Sequence, residues 1–189
     1  MSLQALFAPR SVAIAGASLT PGRPGYLSVE NLLRFGFRGP IYPINPRGGR
    51  LLDLRVYRRL EEVPPVDLVV SLIPAEETPG LVERCRGRAR ALVICSGGFS
   101  DAGRRELEQE VVRRARAAGL RVLGPNVPGF INAPQGVVLS IGPLSRLLPG
   151  GISLVTQSGQ FCTNVLEWAF TGPELGIGKA IDLGNKADV

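Results

Sequence analysis

The 189 residues suffice for one ordinary domain and part of a second, and their 44% hydrophobic, 20% charged composition is that of a globular fold. The net charge of +6 is carried by dispersed arginines, with Lys179 and Lys186 the only lysines, and just 6% aromatics accompany them, which argues against a nucleic-acid surface. Histidine is absent, which excludes Ser-His-Asp and Cys-His nucleophile pairs, an HExxH zinc site and a phosphohistidine on these residues.

In chain order, SVAIAGA (11–17) is a short apolar run that reads as the first strand. The glycine- and proline-rich turn SLTPGRPG follows, then a helix over 26–37 with Leu27, Leu32, Leu33 and Phe35 at near-helical spacing, stopped by Gly36. GPIYPIN (39–45) is the second strand and VDLVVSLIP (66–74) the third, with a helix over about 76–87 behind it. RALVICSGG (90–98) is the fourth strand, and Asp101 is placed to cap the long helix that ends at Gly119. LRVLGPN (120–126) is the fifth.

Near-continuous apolar strands alternating with helices predict a doubly wound, Rossmann-like parallel α/β domain over 1–135. The Pro- and Gly-rich stretch that follows reads as a join, with a linker over 136–150. The pattern then restarts: GISLVTQSG (151–159) is strand into turn, 160–170 a helix and KAIDLGN (179–185) a strand, the incomplete start of a second α/β domain. Cys85, Cys95 and Cys162 are too few and scattered for a disulfide framework and read as core residues. No apolar run approaches the roughly 20 residues of a membrane span, and MSLQALFAPR lacks the layout of a signal peptide. A cytoplasmic location is expected.

In such a fold the ligand lies at the carboxyl ends of the strands, its phosphates on amides at a helix N-terminus. Gly16, Gly22 and Gly25 are spaced G-x5-G-x2-G, a longer loop than the dinucleotide fingerprint, with Ser18 and Thr20 as hydroxyl donors and Pro21 and Pro24 stiffening it. The second strand ends in INPRGGR, with Asn45, Arg47 and Arg50 and no carboxylate to hold a ribose hydroxyl. An arginine there suits a phosphate monoester on the adenosine ribose, which both NADP and coenzyme A (CoA) carry. Ile73, Pro74 and Ala75 offer apolar surface for adenine, and Ser96, Gly97 and Gly98 admit close approach of a pantetheine chain.

Together, SVAIAGAS, PGRPGY, IYPINPRGG, VDLVVSLIPAE, SGGFSD, LGPNVPGFIN, GGISLVTQSGQ and LGNKADV resemble the CoA-binding domain of the NDP-forming acyl-CoA synthetases, the superfamily of ADP-forming acetate–CoA ligases and the succinyl-CoA synthetase α subunit. The resemblance implies CoA or acyl-CoA as ligand and a flavodoxin-like second domain. It implies that Gly16, Ala17, Ser18 and the turn through Pro21, Gly22 and Gly25 contact the CoA phosphates, and that Arg47 faces the nucleotide's phosphates. Ile73 to Ala75 would border adenine, Ser96 to Gly98 pantetheine, and Asn126 the thioester end. Gln157, Ser158 and Gly159 resemble a cradle for the transferred phosphoryl group. The family's phosphorylated histidine lies beyond Val189, and its ATP-grasp part is further along or on a β subunit, so these residues alone are expected to bind without turnover. Val127 stands where the family usually has Cys. A regulatory part of a protein acetyltransferase, an NADP-binding module and a self-associating scaffold are the competing readings.

Overall fold

The computed structural model describes residues 3–144, 146–160, 164–165, 168 and 175–189. Five strands form the first sheet: β1 (Val12–Ala15), β2 (Ile41–Ile44), β5 (Leu68–Ser71), β6 (Ala91–Ile94) and β7 (Arg121–Leu123). They lie in the order β2-β1-β5-β6-β7 and every pairing is parallel. β1, β5 and β6 are buried at every position, as strands covered on both faces must be. The chain leaves β1 toward β2 on one side and β5 toward β6 on the other. The sheet therefore has its switch point between β1 and β5, where a doubly wound fold opens a crevice.

Helices α2 (Pro24–Arg34), α3 (Thr78–Cys85) and α4 (Arg105–Ala117) make the crossovers; a short α1 (Gln4–Phe7) precedes β1. α2 starts on a proline, whose missing N–H costs nothing there, and Gly36 ends it in the left-handed region. Its buried face differs from the expected one. Leu33 is 41% exposed, whereas Ser28 and Asn31 are buried. The reason is a second layer: Asn31 Nδ2 donates to the carbonyls of Ser140 (3.2 Å) and Gly142 (3.0 Å).

That layer is a four-stranded sheet, β10-β11-β8-β9. β8 (Gly129–Asn132) and β9 (Val137–Ser140) form an antiparallel hairpin, and β8 also pairs antiparallel with β11 (Ile177–Asp182), which lies parallel to β10 (Pro149–Thr156). The stretch expected as a join and linker thus supplies two strands, and β9 packs on α2 within one apolar cluster shared with the first sheet. A small hairpin, β3 (Gly49–Leu51) with β4 (Leu54–Val56), follows β2. The helix expected over 160–170 and Cys162 lie largely outside the described residues, and Cys85 and Cys95 are buried core residues as expected.

Asp101 is not the cap of α4. The N-cap is Arg104, with no side-chain cap bond, and Asp101 sits in a separate 3-10 turn over Ser100–Ala102 that Gly103 closes at φ 78°. Its carboxylate instead accepts the amides of Gly98 and Phe99, at 2.9 Å each.

Candidate functional site

The crevice at the switch point is built around missing side chains. Gly16 leaves β1 at φ 90°, and a Cβ there would stand 2.9 Å from the backbone of Leu72 at the exit of β5. A Cβ on Gly25 would overlap the carbonyl oxygen of Gly16 and lie 2.6 Å from the Ser18 nitrogen. Only glycine lets the first turn of α2 rest on the loop that leads into it.

The hydrogen bonds of this loop sort its amides. Those of Gly16 and Ala17 both donate to the Ile44 carbonyl at 3.1 Å, so they are engaged in holding the loop to β2. Thr20 N donates to Ser18 Oγ at 3.1 Å, a local turn. Among the described residues, the amides of Ser18, Leu19, Gly22 and Gly25 have no hydrogen-bond partner, and α2 carries no side-chain cap. Unpaired amides at the positive end of a helix dipole form an anion cradle. Pro21 and Gly22 lie exposed at its rim.

Asn45 fixes the neighbouring turn. Its Nδ2 donates to the Ala17 carbonyl at 2.8 Å and its Oδ1 accepts the Arg47 amide at 3.0 Å. The Arg47 side chain projects from this turn, exposed and without an ion pair among the described residues. Arg50, by contrast, turns into the β3–β4 hairpin and pairs with Asp53. A second arginine that the sequence did not reveal is Arg58. An isolated parallel bridge sets Tyr57 beside Ile44, so Arg58 runs level with Asn45, and a Cβ on Gly48 would stand 3.3 Å from its Nε.

At the exit of β5, Ile73 is half-buried, Pro74 is exposed and Ala75 is buried against the apolar cluster. At the exit of β6, the Ser96 hydroxyl is buried with no hydrogen-bond partner, and the Ser96 carbonyl accepts the Asn126 amide at 3.1 Å. Gly97 and Gly98 follow, the latter at φ 97°, and a Cβ on Gly98 would lie 3.5 Å from that of Ala75. The two strand-end loops therefore touch, and Arg104 pairs with Glu76 across them.

Asn126, at φ 63°, opens into a separate cavity of about 670 Å³ between the first sheet's strand ends and the second sheet, where Cys95, Val127, Ile141, Gln157 and Gly159 also line it. Asn126 and the Gln157–Gly159 turn are brought together there; the loop 16–25 and Arg47 are not among its lining residues. Ser158 lies exposed between two lining residues. Burial pushes the Cys95 thiol up to about 12, which makes it a poor nucleophile at neutral pH. Asp182 is buried beneath the Gln157–Gly159 turn, accepting Thr156 Oγ1 (3.1 Å) and Gly184 N (2.7 Å).

Residues 10–133 match the family described as CoA binding domain. The chain belongs to that family. Residues 149–189 of this CoA-binding chain match the succinyl-CoA ligase like flavodoxin domain. Over its full length it is 38% identical to the α subunit of ADP-forming acetate–CoA ligase I of Pyrococcus furiosus, of which it covers 42%. It is 35% identical to ADP-forming acetate–CoA ligase II of Archaeoglobus fulgidus over 99% of its own length and 28% of that protein's. Among solved structures, the apo form of the dinucleotide-forming acetyl-coenzyme A synthetase 1 of Ca. Korarchaeum cryptofilum superposes with a TM-score of 0.94 at 36% identity, matching all of this chain and 41% of that one. The chain thus spans less than half the length of these relatives. Among the described residues, no helix is long and apolar enough to cross a membrane and no cluster of ligating side chains offers a metal site.

Proposed function

We propose that the chain binds CoA or acyl-CoA in the switch-point crevice, as the CoA-binding part of a cytoplasmic ADP-forming acyl-CoA synthetase. The observation that carries this reading is the glycine-shaped cradle, with four unpaired amides in the loop and first turn leading into α2, a loop that Asn45 ties to the Arg47 turn. In this assignment the amides of Ser18, Gly22 and Gly25 and the turn around Pro21 receive the diphosphate. Gly16 and Ala17 shape the loop without donating. Arg47 and Arg58 receive the ribose 3′-phosphate, Ile73 and Pro74 lie along adenine with Ala75 behind them, and the Ser96 hydroxyl meets a pantetheine amide beside Gly97 and Gly98. Asn126 lies at the thioester end, and Gln157, Ser158 and Gly159 across the cavity receive the phosphoryl group.

In the complete enzyme the reaction is acyl-CoA + ADP + phosphate ⇌ acid + CoA + ATP. Phosphate displaces the thiol to give an acyl phosphate, and the phosphoryl group then passes through a histidine to ADP on an ATP-grasp partner, a β subunit or a fused domain. These residues contain no histidine, so the purified chain alone should bind CoA and form no ATP.

Calorimetric titration with CoA and dephospho-CoA tests the assignment. A charge-assisted bond contributes about 1.5–3 kcal/mol, so dephospho-CoA, or CoA with Arg47→Ala, is expected to bind roughly tenfold or more weakly. Equal affinity for the two ligands would remove Arg47 from the site. Saturable NADPH binding without CoA binding would overturn the reading altogether.

A further inference from the structure

The loop after β11 belongs to the second sheet, but its side chains land on the first. Asn185 Nδ2 donates to Asp101 Oδ1 at 3.0 Å and to Glu108 Oε2 at 2.7 Å. Those carboxylates in turn hold the turn that follows Gly97. Asp101 accepts the amides of Gly98 and Phe99. Glu108 accepts Ser100 Oγ at 2.7 Å and Ser100 N at 3.3 Å. A Cβ on Gly97 would stand 2.9 Å from Asp101 Oδ2, so the carboxylate also forms one wall of that turn.

A primary amide suits this place chemically. It is neutral and carries two N–H donors on one nitrogen, so it bonds two carboxylates at once and shields them from each other. Its position is fixed by backbone rather than by those bonds. Asn185 N donates to the Pro125 carbonyl at 2.9 Å and Ala187 N to the Gly124 carbonyl at 3.1 Å. A Cβ on Gly184 would overlap the Pro125 oxygen, so the loop lies flat against the 124–126 turn. Changing the Asn185 side chain therefore leaves the docking of its loop intact.

We infer that Asn185 is a positioning residue for the pantetheine arm: through Asp101 and Glu108 it sets the geometry of the Gly97–Ser100 turn, so the second sheet completes a binding site whose other walls belong to the first. The inference rests on the CoA reading above. It assigns the effect of Asn185 to one end of the ligand, because the adenosine end lies at the Gly16–Gly25 loop and Arg47, which the network does not touch.

Asn185→Asp keeps the shape and places a carboxylate between two others. Titration of the purified chain with CoA and with adenosine 3′,5′-bisphosphate, which lacks the pantetheine arm, reads the consequence. CoA is expected to bind about tenfold more weakly to the variant, the loss of a charge-assisted bond, while adenosine 3′,5′-bisphosphate stays within about twofold of its wild-type affinity. Asn185→Ala, which adds no charge, should show the same selectivity with a smaller loss, and hydrogen exchange at the Gly98 and Phe99 amides should quicken in both. Parallel weakening of both ligands, or unchanged CoA affinity, would overturn the role of Asn185. A wild-type chain that binds neither ligand overturns the CoA reading itself, so the two failures are distinguishable.

Discussion

Gly25→Ala is expected to abolish CoA binding by a chain that still folds. The added methyl group would occupy the space of the Gly16 carbonyl oxygen and crowd the Ser18 nitrogen at 2.6 Å. Both are backbone atoms, and Gly16 and Ala17 are anchored to Ile44 on the other side, so the loop cannot withdraw without breaking two hydrogen bonds. The first turn of α2 must move instead. Overpacking of this kind costs about 1–3 kcal/mol, which two apolar clusters on either face of the first sheet can absorb. The cradle cannot absorb it, because its donors work only while the loop and the helix start converge on one point. Gly87→Ala, far from the crevice, is the control: a Cβ at Gly87 meets nothing within 4 Å, and only its φ of 67° opposes the change, a strain of about 1 kcal/mol. Circular dichroism melts paired with calorimetry separate folding from binding. A Gly25→Ala chain that binds CoA as the wild type does would sink the cradle; Gly87→Ala should keep binding within a few-fold.

The elements and residues that local pattern could reveal were legible, and those that depend on distant partners were not. VAIA and ALVI are apolar throughout and LVVS is apolar up to Ser71, and each becomes a strand buried on both faces. GFIN and VVLS are buried strands too, but Gly129, Asn132 and the prolines and glycines around them read as a join. Gly129 shows why one is needed: at φ 117° its missing Cβ makes room for the Leu139 carbonyl across the hairpin. Asp101 stood at the right distance to look like a helix cap, yet the Gly103 turn starts α4 two residues later and frees the carboxylate for the Gly98 turn. The place of Arg47 on the turn after β2 was legible because it follows a strand end directly. Arg58 was not, since only the bridge between Tyr57 and Ile44 carries it to the same turn. Asn185 lies 84 and 77 residues from its two partners, and no periodicity reports a contact of that kind. The CoA-binding family was legible through the succession of strand-end motifs, whose agreement exceeded the weight of any single one.

The same loop that carries Asn185 leads to Asp188, and its replacement by alanine is expected to cost about 3 kcal/mol of stability at neutral pH. The Asp188 side chain is 6% exposed. It accepts Arg121 Nε at 2.9 Å, Arg116 Nη2 at 3.2 Å and the Val122 amide at 3.1 Å. Arg121 is itself only 26% exposed, so truncating its partner strands a partly buried cation and an amide, the situation in which breaking a pair costs about 3–5 kcal/mol. Arg116, at 65% exposure, contributes little. Burial alone would raise the Asp188 pKa, but the bonds from Arg121, Val122 and Arg116 outweigh it and hold the carboxyl below its ordinary 3.8. Asp67, beside Arg10 and Arg90, and Asp101, beneath the Gly98 and Phe99 amides, are lowered in the same way. Since the folded values lie below the unfolded ones, the unfolded chain takes up protons first as pH falls. The stabilisation is complete above the ordinary carboxylate range and is lost as pH drops below about 4 through the folded values. Denaturant melts of wild type and Asp188→Ala between pH 7 and 3 should therefore show a stability gap that narrows with acidification. A gap that stays constant to pH 3 would mean that Asp188 acts by packing and not by charge.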